Sequence, residues 1–227
     1  ELKPDLSIIV ATVKALKYNG NLEMENINTK NMEALEKGIV NLGKHIENMK
    51  KYNVPVMVCI NNYETDSEEE IEYIRKFAES YGIPVELSQA YVKGSEGTVD
   101  FANRVVEMLE ETESNYKPLY SLDIDVEDKI TTICKEIYGA KDVVFLDAAI
   151  ENIKRAKENG YNNVPVCIAK TPASLTDDAK ILGCPKDFTI TIRDIKISAG
   201  AGFIVAYAGN IMTLPGLGKS SKYKDFR

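Results

Sequence analysis

The residues best placed to do chemistry are two tyrosines at the ends of apolar segments. In "VPVMVCINNYETDSEEEIEYI", residues 54–74, an apolar run stops at Asn61-Asn62-Tyr63 and passes at once into an acidic helix start. In "LSQAYVKGSEGTVDFA", residues 87–102, Tyr91 follows a second, shorter apolar run. Open α/β sheets bind ligands beyond the carboxyl ends of their strands. If these two strands are parallel neighbours, right-handed crossovers put both loops on one edge, where two phenol rings can clamp a flat ligand. Each ring would contribute roughly 0.5–1.5 kcal/mol beyond simple area burial. Gly94 and Gly97 bracket Ser95-Glu96 and allow close backbone approach, and Lys93 sets a cation beside the loop. The competing reading is a surface tyrosine next to a solvated charge run.

Other chemistries find less support. The single histidine, His45, lies mid-helix among charged neighbours, so it reads as an exposed helix residue rather than the centre of a triad or a zinc site. Cys59, Cys134, Cys167 and Cys184 form no C-x-x-C pair, and three of them lie in or beside apolar runs; buried free thiols are expected. In "TLPGLGKSS" the end of a G-x-x-x-x-G-K-S/T phosphate loop is present, but Thr213 stands at the first required glycine and only "KYKDFR" follows. "GAGFIV" precedes a strand rather than a helix, so it fails as a dinucleotide fingerprint. A net charge of -7 argues against nucleic-acid binding, and no apolar run reaches membrane-spanning length. No signal peptide is visible, and a reducing, cytoplasmic location is expected.

Apolar runs of strand length alternate with segments of helical period. "LSIIVATV" reads as a strand. Residues 30–52 read as one helix, with Met32, Leu35, Ile39, Leu42, Ile46 and Met49 on a single stripe. "VPVMVCI" is a strand buried on both faces, followed by a helix over 66–82 with Asp66 or Ser67 as its cap. "IPVELS" is a short strand, "KGSEG" a loop, and 98–112 a helix. Residues 125–138 and 147–159 are further helices around the short apolar "DVVFL". "VPVCIAK" is a strand, and "FTITIRDIKIS" and "FIVAYAG" alternate like an antiparallel pair joined at 199–202. The expected fold is α/β, with mostly parallel sheet flanked by helices and a mixed antiparallel edge. A seam is expected near residues 50–53. The chain opens at Glu1, a few residues before "DLSIIVATVKAL", and reads as part of a longer polypeptide.

At the two tyrosine loops the sequence also resembles a known family, the formate–tetrahydrofolate ligases, in their C-terminal half. The segments carrying the resemblance are "IIVATVKALKYNG", "ALEKGIVNLGKHIENMKKYNVPVMVCINNYETDSEEEI", "YVKGSEG", "DKITTICKEIYGA", "VPVCIAKTPASLTDD" and "FTITIRDIKISAGAGFIVAYAGNIMTLPGL". They occur in family order over nearly the whole chain, and only the last dozen residues depart from the pattern. The resemblance implies an ATP-dependent ligase that makes 10-formyltetrahydrofolate from formate and tetrahydrofolate through formyl phosphate. It places the folate-stacking aromatics on Tyr63 and Tyr91 and a leucine of the same slot on Leu87. Glu64 stands where many members carry proline, leaving the loop less rigid.

The resemblance further implies that residues 1–50 are a remnant of the nucleotide-binding domain and 51–227 the C-terminal domain with the folate site. Thr12 and Lys14, in "ATVKALKYNG", fall near the family's nucleotide site. Family members hold ATP, with Mg²⁺, mainly through a glycine-rich loop upstream of anything in this sequence, so the isolated chain is expected to be inactive. The "AKTPASLTDD" loop, with Lys170 and Asp177, matches a family motif without revealing a chemical role. The implied partners are small molecules (formate, tetrahydrofolate, ATP) and further copies of the chain, since the family forms homotetramers. The alternative is a non-catalytic folate-binding or scaffold module that keeps the fold.

Overall fold

A computed structural model describes residues 3–209 and 211. The order of elements is β1 (Ser7–Ala11), α1 (Val13–Asn19), α2 (Met32–Gly38), α3 (Val40–Lys50), β2 (Val56–Asn61), α4 (Glu68–Glu79), β3 (Val85–Ser88), α5 (Ala90–Lys93) and α6 (Val99–Glu111). Then come α7 (Val126–Thr132), β4 (Asp142–Phe145), α8 (Asp147–Glu158), β5 (Val166–Ala169), β6 (Thr189–Ser198) and β7 (Phe203–Ala208). The glycine-lysine-serine tail of the sequence lies outside the described residues.

The strands form two sheets. The first is wholly parallel in the order β1-β2-β3, with Ile60 beside Leu87 and Asn61 beside Ser88. The second runs β4-β6-β7-β5: β6 and β7 are the antiparallel pair foreseen in the sequence, and β4 and β5 flank them in parallel. The fold is thus α/β with mostly parallel pairing, and the antiparallel pair occupies the middle of the mixed sheet. All six residues of β2 are shielded from solvent to some degree, five of them fully, as befits a central strand covered on both faces.

Each sheet has its own apolar core. One gathers Leu16, Leu35, Ile39, Leu42 and Ile46 from the helices with Val56, Val58, Ile60 and Val85 from the strands. The other gathers Val126, Ile130, Cys134, Ile153, Ile190, Ile192 and Ile204. The expected seam at 50–53 does not divide these cores, because β1 and β2 pair in register across it and share the first one. The change of core falls instead between β3 and α7.

Three local expectations need correction. The single helix over 30–52 is two helices that meet at Ile39. The step lies beside Gly38, where α1 presses so closely that a Cβ would sit 1.9 Å from the Leu16 carbonyl oxygen; Gly20 meets the Ala34 carbonyl at 1.8 Å in the same way. The strand read as "LSIIVATV" ends at Ala11, and Thr12 instead caps α1, its hydroxyl accepting from the Ala15 amide at 3.1 Å. The "KGSEG" loop is coiled into α5 and a 3₁₀ turn at Gly94–Thr98. Cysteine burial is also mixed. Cys59 and Cys134 are buried, but Cys167 is exposed because β5 is an edge strand with an uncovered face.

Candidate functional site

The carboxyl ends of β1, β2 and β3 lie side by side, so the segments that follow them share one edge of the first sheet. Tyr63 and Tyr91 meet there, with ring centroids 5.2 Å apart and planes tilted by 53°. Lys14, from the first turn of α1, places its ammonium over the Tyr63 ring, 4.6 Å from the centroid. It makes no hydrogen bond or ion pair among the described residues. Sequence reasoning kept Lys14 and the tyrosines in separate sites; the fold joins them.

Tyr63 is held from several directions. Its backbone N–H donates to Asp66 Oδ2 at 2.9 Å, its carbonyl accepts from the Asp66 amide at 3.0 Å, and its hydroxyl lies 3.4 Å from Asn61 Nδ2. Burial pushes the Asp66 carboxyl above the usual range, against the pull of the Tyr63 amide and of Lys14 and Lys17. Ser67 then caps α4 in a full capping box with Glu70. That Ser-x-x-Glu spacing is legible in the sequence. Glu70's partner, Lys17, is not, because a lysine is almost never fully buried unless paired. The two side chains are 0% and 1% exposed and 3.0 Å apart.

Tyr91 is freer, with 73% of its surface exposed. It rides on α5, which stops at Gly94 with φ 59° and ψ −142°, a conformation open in practice only to glycine. Gly97 serves a different closeness from the one expected: a Cβ there would lie 2.6 Å from the Gln89 carbonyl oxygen, so it admits the loop to the end of β3. Lys93 is tied to Gln89 Oε1 at 2.8 Å. Leu87 is half-buried against the first core, while Glu64 and Glu96 face solvent. The hydroxyl of Thr12 is engaged as a helix cap.

A flat heterocycle between two rings needs them about 7 Å apart, twice the ordinary ~3.5 Å contact distance. Tyr63 and Tyr91 are closer than that and not parallel. They touch one another and enclose no slot.

A second polar cluster surrounds Lys170. Its ammonium donates to the carbonyls of Thr171 (3.1 Å), Ser174 and Thr176 (3.2 Å) and lies 4.6 Å from the centre of the Tyr138 ring. Burial pulls it down to about 8, against Asp177 and Cys134. Asp177 accepts from the Thr191 amide at 2.9 Å. The loop beyond docks on the first core through Gly183, whose amide donates to Asn19 Oδ1 (3.1 Å) and whose carbonyl accepts from Asn41 (2.8 Å). A cavity of about 300 Å³ lies between, lined by His45, Tyr138 and Lys170 among others. His45 is exposed as expected; desolvation, Lys170 and Lys44 hold its imidazole below the usual value.

The entire sequence, residues 1–227, matches the family model described as formate–tetrahydrofolate ligase. The chain belongs to that family. A ligase of one-carbon metabolism, acting on small molecules, is the activity the family carries, and its members use ATP and tetrahydrofolate. Among the described residues no group of three or more His, Cys, Asp or Glu could hold a metal ion, and no helix is long and apolar enough to cross a membrane.

Proposed function

We propose that this formate–tetrahydrofolate ligase chain supplies the folate side of the reaction, with Tyr63 and Tyr91 as the two jaws that stack the pterin. The observation that carries this reading is the convergence of both rings and the Lys14 ammonium at one sheet edge. Because the rings touch, stacking requires Tyr91 to swing outward. Its exposure and the glycine behind it make that the cheaper jaw to move. Once Tyr91 has swung, Leu87 forms the base of the opened slot and Lys93, Gly94, Glu96 and Gly97 its rim, with Glu64 on the opposite loop.

In the proposed chemistry ATP passes its γ-phosphoryl group to formate, giving ADP and formyl phosphate. The folate amine then attacks the formyl carbon, phosphate leaves, and the nitrogen gives up its proton. This chain contributes positioning, which lowers the entropic barrier to that attack. Lys14, with Thr12 beside it, lies on the side toward the nucleotide. The phosphates themselves need cradling amides and cations of a kind the motifs of this sequence do not supply, so residues outside it hold ATP and Mg²⁺. On this reading the isolated chain is inactive, and the working form is a cytoplasmic homo-oligomer.

Calorimetry with tetrahydrofolate tests the reading. Saturable binding by the wild-type chain that is lost in both Tyr63→Ala and Tyr91→Ala supports the clamp; wild-type affinity in both variants refutes it. A second reading, a non-catalytic scaffold module, is favoured by the contact between the rings, which leaves no open slot. It predicts no tetrahydrofolate binding together with a stable oligomer.

A further inference from the structure

Six side chains around the Tyr63 loop form a closed circuit. Tyr63 is bound to Asp66 through two hydrogen bonds, and Ser67 follows directly in sequence. Glu70 Oε2 accepts from the Ser67 amide at 3.0 Å and the Ser67 hydroxyl at 2.7 Å, while Oε1 accepts from the Asn31 amide at 3.1 Å. Oε1 also meets the Lys17 ammonium, which donates in turn to the Thr29 carbonyl at 2.7 Å. Lys17 and Lys14 are three residues apart on α1 and so share a face. Lys14 closes the loop by lying over the Tyr63 ring.

A buried ion pair is a poor way to gain stability, since well-packed apolar residues of similar volume are often as good or better. What the pair supplies that an apolar contact lacks is direction. Each Glu70 oxygen has assigned donors, so the carboxylate admits one setting of α1 against the start of α4. A slip of α1 would carry Lys14 off the ring. We infer that Lys17 and Glu70 are positioning residues for the ligand jaw, fixing Lys14 and Tyr63 as one rigid unit so that the ring is ready to stack before ligand arrives. The inference rests on the folate reading for its effect on affinity, though not for its effect on geometry.

The test joins a geometric readout to a binding one. Lysine-labelled wild-type chain should show the Lys14 ε-methylene resonance displaced by the Tyr63 ring current, a displacement that vanishes in Tyr63→Ala. In the double variant Lys17→Met/Glu70→Gln, which keeps side-chain volume and a capping glutamine, the displacement should also vanish. Tetrahydrofolate affinity should fall about five- to tenfold, the scale of the stacking geometry of one ring that is displaced rather than removed. If the double variant does not fold, Glu70→Gln alone keeps the cap and the Thr29 contact and carries the same two expectations. A folded variant with the displacement and affinity of the wild type overturns the inference. If the displacement is lost but even the wild type binds no tetrahydrofolate, the positioning role stands and the folate reading falls.

Discussion

Lys14 lies over Tyr63 with its ammonium 4.6 Å from the ring centre and, among the described residues, no carboxylate bound to it. A cation on a partly exposed ring contributes about 0.5–1 kcal/mol. Lys14→Met keeps most of the stem and removes the charge. The variant should fold normally and bind tetrahydrofolate about two- to fivefold more weakly by calorimetry, and equal affinity would show that the charge does nothing for the ring.

Glu70 should make the first core sensitive to acid. Burial pushes its carboxyl up, but the Ser67 hydroxyl and amide, the Asn31 amide and Lys17 together hold it below the usual carboxylate value. A folded pKa lower than the unfolded one, about 4.3, gives stability that is fully present above that pH and lost as pH falls through the folded value. Urea unfolding from pH 7 to pH 3 should therefore show wild type and Glu70→Gln well separated at neutral pH. The gap should narrow below pH ~4.3, and a constant gap would mean the charge is not what stabilises.

Lys170→Ala should loosen the long connection between β5 and β6. The ammonium is the shared donor for three backbone carbonyls, and removing it leaves them facing one another. Hydrogen bonds to a charged group are worth about 1.5–3 kcal/mol, so a destabilisation of that size is expected on chemical denaturation. Hydrogen exchange should quicken at the Thr176 and Gly183 amides before it quickens in β6. Unchanged protection at Gly183 would sever Lys170 from the docking of the two cores.

The four thiols should separate cleanly with iodoacetamide. Cys167 is exposed and should react first, Cys184 more slowly, and Cys59 and Cys134 only on unfolding. Burial pushes the Cys134 thiol up to about 12, so it stays protonated where an unfolded thiol, near 8.5, ionises. Stability from this group is intact below pH ~8.5 and is lost as pH rises toward 12. Mass spectrometry of the native chain showing early modification at Cys134 would contradict its placement.

The elements that a periodicity can announce were legible. The stripe from Met32 to Met49 faces the core as its spacing demands, although the glycine contact that splits the helix at Ile39 involves a neighbour, α1, which no local pattern reveals. The shared edge of β2 and β3 followed from crossover geometry, so Tyr63 and Tyr91 could be brought together on paper. Their mutual contact could not, because ring tilt depends on packing. Least legible were the lysines. Lys17 and Lys129 have the composition of surface and are buried, each donating to loop carbonyls: Thr29 in one case, Asn162 and Val164 in the other. A charged residue announces its burial only when the partner across the fold is known.

The bare backbone contact of α1 and α2 also limits how this molecule can be engineered. Replacing glycine with alanine is a common thermostabilising move, since it stiffens the unfolded chain. At Gly20 and Gly38 the added methyl would collide with a carbonyl less than 2 Å away. Among the described glycines only Gly200, at the β6–β7 hairpin tip, offers both open space and an ordinary backbone angle. A consensus-minded redesign that treated the glycines alike would wreck the helix carrying Lys14, whereas Gly200 lies far along the chain in the other sheet.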